Sequence, residues 1–146
     1  MSTGLDVFDH TLQETNGWLK DLMQLLGTED RKAAYRILRA TLHALRDRIG
    51  EGNALHLGAQ LPILLRGVYY EGWRGAASQS KERRTAAFLE HVQAESGHAL
   101  HGDVEADVRA VFTLLWERID AGEIAKLIQL FPAEMRDLWP RLARED

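Results

Sequence analysis

The chain repeats itself. A shift of seventy positions carries Arg39-Ala40 onto Arg109-Ala110, Arg48-Ile49 onto Arg118-Ile119, Gly52 onto Gly122 and Leu57 onto Leu127. The same shift brings Leu61-Pro62 onto Phe131-Pro132, Arg66 onto Arg136, Val68 onto Leu138 and Tyr69 onto Trp139, without a gap. A shift of eighty pairs Phe8, Leu12 and Gln13 with Phe88, Val92 and Gln93. A duplication of this kind restricts the fold severely. Each copy is one supersecondary unit that is too small to bury a whole apolar face alone, so the two must pack against one another.

The unit is patterned at the helical period. Tyr35, Leu38, Leu42, Leu45 and Ile49 recur at alternating steps of three and four, and Gly50 with Gly52 stops the run. Val104, Val108, Phe112, Leu115 and Ile119 trace the corresponding stripe in the second copy. Ahead of them, Phe8, Leu12, Thr15, Leu19, Leu22 and Leu26 predict one long helix through Asn16-Gly17, ended by a left-handed cap at Gly27. Thr28, Ser80 and Asp103 are the expected N-caps of the helices that follow them, and Asp120 with Glu123 reads as a capping box. Pro62 and Pro132 each end a short helix, because proline drives the residue before it out of the helical region. Each then opens a last, aromatic-ended helix, where its missing N–H does no harm.

These elements predict an all-α fold, a compact helical bundle of two tandem, pseudo-symmetric repeats in a single domain over residues 1–146. The first repeat spans 5–73, a small polar stretch at 74–80 links it to the second at 81–140, and 141–146 form a tail. With 45% hydrophobic residues and four tryptophans, the chain can build a core and is not a disordered tail. It has no cysteine, which removes disulfides, thiolate metal sites and cysteine nucleophiles together. No run approaches the ~18 apolar residues of a membrane span, and the first residues lack the basic start and apolar centre of a signal peptide. A cytoplasmic protein with no membrane association is the expectation.

The stretch DRKAAYRILRATLHALRDRI at Asp30–Ile49, followed by HLGAQLPILLRGVYYEGW at His56–Trp73, resembles the bacterial domain of unknown function 2267 family. The resemblance extends over nearly the whole chain and includes the second proline motif, LFPAEMRDLWP at Leu130–Pro140. It implies an all-helical fold and a bacterial cytosolic setting. It carries over no catalytic residue.

The candidates for chemistry are few. Glu95-x-x-His98, with His101 beyond, has the spacing of a helical metal-ligand pair, but a di-metal bundle needs two such pairs and two further glutamates. His43 and Asp47 lie one turn apart without a nucleophile beside them, so a triad is not predicted. Gly50-x-Gly52 lacks the third glycine and the preceding strand of a phosphate loop. Neither a catalytic residue, a metal site nor a cofactor is therefore expected.

Charge is uneven. Residues 1–27 hold one basic and four acidic groups, 28–84 eleven against six, and 85–146 six against twelve. The stripe Arg36, Arg39, His43 and Arg46 reads as a solvated basic face or as a dock for the acidic second half. It lacks interleaved aromatics and the net charge is −4, so nucleic acid is not the expected partner. Tyr69, Tyr70 and Trp73, just before the linker, read as a seal between the repeats or as a partner or ligand surface. Arg66 and Arg136, each four residues after its proline, read as framework: mostly buried, and bonded to carbonyls of the helices ending at Ile49 and Ile119. The leading functional expectation is a non-enzymatic interaction module that binds an unknown protein or itself. A small-ligand binder with a cleft at the seam between repeats comes next, and an unrecognised enzyme third.

Overall fold

The stripes become helices. In the computed structural model, which describes residues 2–144, α1 (Asp6–Leu26) and α2 (Arg31–Ile49) are the two longest elements. The first copy continues with α3 (Glu51–Gly58) and α4 (Ile63–Tyr70). The second contains α5 (Thr85–Ser96), α6 (Val104–Arg118), α7 (Ala121–Gln129) and α8 (Ala133–Arg136), followed by α9 (Arg141–Arg144). No strand occurs among the described residues. The last two residues of the expected tail lie outside them.

α1 passes unbroken through Asn16-Gly17. The reason is a contact that crosses the molecule. The Arg118 guanidinium lies over this position, 3.2 Å from where a Cβ on Gly17 would sit, and pairs with Asp21 at 2.7 Å. Gly17 is thus a place of close approach within a helix that its neighbours stabilise. At the other end Gly27 adopts φ 68°, as a left-handed cap requires, and the Gly27 and Thr28 amides close on Gln24 and Met23 carbonyls.

Two expected caps are displaced. The cap of α2 is Asp30, whose side chain accepts from the Ala33 amide at 3.0 Å, while the Thr28 hydroxyl accepts from Asp30 N instead. α5 begins at Thr85, not after Ser80. Ser80 donates its amide to the Asp47 carbonyl at 2.6 Å, which straps the following stretch across α2 before a helix can begin. Asp103 caps α6 as expected, accepting from Ala106. Asp120 caps α7, but Glu123 turns away to His56 at 2.7 Å, so the capping box is half formed. α8 is shorter than α4 because Pro140 stands where the first copy has Tyr70. It forces Trp139 out of the helical region, and the chain closes with turn bonds from Leu138 to Met135 and Trp139 to Arg136.

The copies interleave. The most extensive packing joins α2 to α5 and α1 to α6, so the first helix of each copy lies on the second helix of the other. Leu38, Leu42, Leu45, Ile49, Val108, Phe112, Leu115 and Ile119 are all buried. Tyr35, at the head of the first stripe, is 42% exposed beside a surface groove that it shares with Leu19. Phe88, Phe112, Phe131 and Trp139 fuse into one aromatic cluster, with Phe112 stacked on Trp139 at 4.2 Å. The stripe of α1 is buried at Trp18, Leu19 and Leu22, whereas Phe8 and Leu12 remain exposed.

One buried carboxylate pins a loop. Asp107, in the first turns of α6, accepts from the Leu100 amide at 3.0 Å, and burial pushes its pKa above the ordinary value.

Two predictions follow from this packing. Leu45→Ala and Leu115→Ala each remove a fully buried side chain and should cost about 2–5 kcal/mol in denaturant titrations. A raised carboxylate pKa means that the folded state holds its proton longer than the unfolded chain, so stability is lost as pH rises through the folded value. Asp107→Asn, whose amide oxygen can still accept from Leu100, should therefore raise the melting temperature at pH 7. The gain should shrink as the pH falls below the carboxylate range.

Candidate functional site

The densest polar arrangement lies where α2 meets the ends of α4 and α5. α-Helices leave their last carbonyls without internal partners, and these ends carry partial negative charge. The α2 stripe supplies the missing donors. His43 donates its Nε2 hydrogen to the Val68 carbonyl at 2.7 Å. Arg46 Nη1 donates to the carbonyls of Tyr69 at 2.6 Å and Glu71 at 2.8 Å, while its Nε faces Asp47 at 3.1 Å. Arg36 donates to the Ser96 carbonyl, the last of α5, at 3.2 Å. The stripe is therefore not the solvated face expected from its spacing: His43 is 2% exposed and Arg46 6%. α5 belongs to the acidic second half, so docking of that half accounts for part of the stripe. The carbonyls of α4 account for the rest.

Carboxylates complete the cluster. Arg39 bridges Glu71 at 2.6 Å and Glu95 at 2.9 Å, and its hydrogen bond holds the Glu71 carboxyl below the ordinary carboxylate range. Glu95 also meets His43 Nδ1 at 2.7 Å. The ring of His43 is thus oriented by Glu95 from the second copy, not by Asp47, its neighbour along the helix. Glu95 does not join His98 or His101, which are exposed and lie beyond the end of α5. Among the described residues no group of three or more His, Cys, Asp or Glu side chains could hold a metal ion.

The aromatic triplet closes α4 against α3 inside the first copy. Tyr69 is fully buried and donates its hydroxyl hydrogen to the Ala54 carbonyl at 2.8 Å, and burial raises its pKa strongly. Tyr70 reaches Leu55 O at 3.4 Å, and Trp73 stacks on Tyr70 at 5.4 Å. Arg66 and Arg136 also bind carbonyls, but not those at Ile49 and Ile119. Arg66 donates to Gly58, the last residue of α3, and to Ala59 and Leu61 just past it. Arg136 donates to Gln129, the last residue of α7, and to Phe131 just past it. Residues seventy apart thus fill the same role, although both guanidinium-bearing residues are half-buried rather than sealed. The α2 end is served otherwise: Asn53 bonds the Ile49 carbonyl. Pro62 and Pro132 stand at the N-cap positions of α4 and α8, one residue ahead of the expected place, and their carbonyls accept from the Arg66 and Arg136 amides.

Between α3 and α7 lies a small cleft lined by Asn53, His56, Leu57, Gln60, Glu123, Lys126, Leu127 and Leu130. These are four pairs of residues seventy apart. The cleft holds about 40 Å³, against the roughly 300–1,000 Å³ of small-molecule sites. A larger open groove, of about 450 Å³, runs between the first turns of α1 and the start of α4. Its walls are Phe8 and Leu12 on one side and Ile63, Leu64 and Gly67 on the other. The Leu64 amide, an orphan donor at the start of α4, is held by the Thr11 hydroxyl at 2.9 Å, which fixes the two walls side by side. Phe8 is 54% exposed and Ile63 57%. The periodicity of Phe8 and Leu12 signals a helix, but it cannot say that their face lacks a partner.

Residues 15–138 match the family described as "Uncharacterized conserved protein (DUF2267)". The chain belongs to the DUF2267 family. No curated protein matches it in sequence. In this DUF2267 protein the matched span covers the whole capping cluster and α4, while Leu5, Val7, Phe8 and Leu12 precede it. No helix among the described residues is long and apolar enough to cross a membrane.

The geometry makes the α2 cations caps. Arg46→Met would strand two carbonyls and the Asp47 carboxylate in the interior, and should cost about 3–5 kcal/mol, the range for breaking a buried pair. Arg66→Met and Arg136→Met should each cost about 1–3 kcal/mol. Thermal melts check all three, and unchanged melting in the Arg66 and Arg136 variants would remove those two from the framework.

Proposed function

We propose that this protein is a non-enzymatic interaction module whose docking surface is the apolar face built by the start of α1 and by α4. The observation that carries this reading is the exposure of Phe8, Leu12, Ile63 and Leu64 around one groove. Contiguous apolar surface of several hundred Å² marks association sites on soluble proteins. The groove itself is oily and open, whereas a metabolite site sets a few converging polar groups in an enclosed cavity. The polar groups with the most chemistry, His43, Glu95, Arg39 and Arg46, are engaged with one another and with helix ends. This favours a structural role over a catalytic one. The alternative of a ligand at the seam between the copies meets a cleft with room for little more than water.

Site-specific photocrosslinking in the producing cell tests the reading. A photoreactive phenylalanine analogue at Leu64 should give a discrete protein adduct. The same group at exposed Glu134, outside the groove, should not. Absence of an adduct at Leu64, at native expression, overturns the interaction reading.

A further inference from the structure

Resting on the interaction reading, we infer that the α1–α4 groove receives an amphipathic helix of another protein. Its apolar face lies against Phe8, Leu12, Ile63 and Leu64, and its flank is rich in lysine and arginine.

The walls select a helix. An extended peptide docks by adding main-chain hydrogen bonds to an open sheet edge, and no strand occurs among the described residues. The groove lies between two helices, and the Leu64 amide, an orphan donor beside it, is already taken by Thr11 at 2.9 Å. A segment entering so apolar a trough must bring its backbone polar groups already paired, as a helix does. There is room for its side chains. The groove holds about 450 Å³, and Gly67 leaves the α4 wall bare: a Cβ built there meets no atom within 4 Å.

The rim selects a basic flank. Thr3 lines the groove and its amide donates to Asp9 at 2.7 Å, which sets that carboxylate at the mouth. The donors to Asp9, Thr3 and Ser2, are neutral. They hold its carboxyl below the ordinary range and leave the charge uncancelled. Asp6, exposed, lies one turn earlier on the same flank of α1. Glu14 meets the His10 ring at 2.9 Å, a contact that cancels its charge only while the imidazole is protonated. No lysine or arginine precedes Lys20 in the sequence. On the other wall, Arg66 spends its hydrogens on the Gly58, Ala59 and Leu61 carbonyls. The α1 side of the mouth is therefore negative, and complementary potential favours a cationic partner. The same charge opposes an anionic lipid surface. This chain's own basic helix, α2, cannot be the occupant, because its apolar stripe is buried and its cations cap helix ends.

The test uses the full chain and two labelled synthetic helices, each with leucines along one face. One has lysines on its flanks and its twin has glutamates. Fluorescence anisotropy at low salt should show the lysine helix binding and the glutamate helix not binding. Gly67→Phe fills the groove from a position with open space, so it should keep the melting temperature and abolish binding. Ile63→Ser, at an exposed position, strips one wall and should weaken binding as well. The double variant Asp6→Asn/Asp9→Asn should bind the lysine helix about tenfold more weakly at low salt. That difference should vanish in about 1 M salt, where the screening length is about 3 Å. Both acids also complement the positive start of α1, so a thermal melt accompanies each titration. A lysine helix that fails to bind, equal binding of the twins, or undiminished binding in folded groove or rim variants overturns the inference. In the cell, mass spectrometry of the Leu64 photoadduct maps the attached segment. A Lys- or Arg-rich amphipathic helix of another protein supports the inference. An acidic segment, or another copy of this chain, upholds the docking surface but overturns the basic helix as its occupant, whereas absence of any adduct overturns the docking surface itself.

Discussion

Every α-helix leaves carbonyls unsatisfied at its last turn, and a protein made of many short helices has many such ends to bury. This constraint organises the molecule. α4 ends without a glycine cap, and the carbonyls of Val68, Tyr69 and Glu71 point at α2, where His43 and Arg46 receive them. The last carbonyl of α5 is met by Arg36 from the same helix. Arg66 and Arg136 serve the ends of α3 and α7. Positive side chains near helix C-termini also complement the helix dipole, so each bond satisfies an acceptor and opposes a partial charge at once. Without these donors the short helices could not turn back on one another inside the protein.

The duplication gains its meaning from how the copies interleave. α1 packs on α6 and α5 on α2, so each copy completes the core of the other. The cleft between α3 and α7 is lined by residues seventy apart on both sides. Yet the copies are not chemically equal. At a shift of seventy, His43 and Arg46 correspond to Thr113 and Trp116, and the cationic stripe has only Arg109 as a counterpart to Arg39. Arg109 pairs with Glu105 and Asp137, much as Arg39 pairs with Glu71 and Glu95, and also donates to the Asp137 carbonyl at the end of α8. Both repeats thus cap their last helix from the second, but only α2, where α4 and α5 both terminate, serves two helix ends with three cationic side chains.

The start of α1 and α4 presents an apolar face with no partner in the fold. The structure holds these two helices in fixed relation through Thr11 and Leu64 and leaves both walls uncovered. Ordered apolar surface of this extent is costly in water, and association relieves that cost. The functional reading therefore rests on an imbalance in the fold itself: α5 is covered along its stripe by α2 and α6, while the equivalent residues of α1, Phe8 and Leu12, are not.

The all-helical class, the unbroken α1, the Gly27 and Asp103 caps, the breaks before Pro62 and Pro132, and the buried stripes of α2 and α6 were legible in the sequence. Each depends on local chemistry or on a periodicity that a single chain displays. The displaced caps show the limit of local signals. Ser80 is a sound capping residue, but its amide is claimed by Asp47, which is far away in sequence. The same limit hid the candidate site. Spacing alone leaves Arg36, Arg39, His43 and Arg46 as either a solvated face or a dock for the acidic second half, because it records where they project from α2 and not what lies opposite. Only packing brings Glu95 and the ends of α4 and α5 against them, and only packing leaves Phe8 and Leu12 bare while their counterparts Phe88 and Val92 are buried. Period and caps are properties of a segment, whereas satisfaction and burial are properties of pairs of segments, which tertiary structure alone decides.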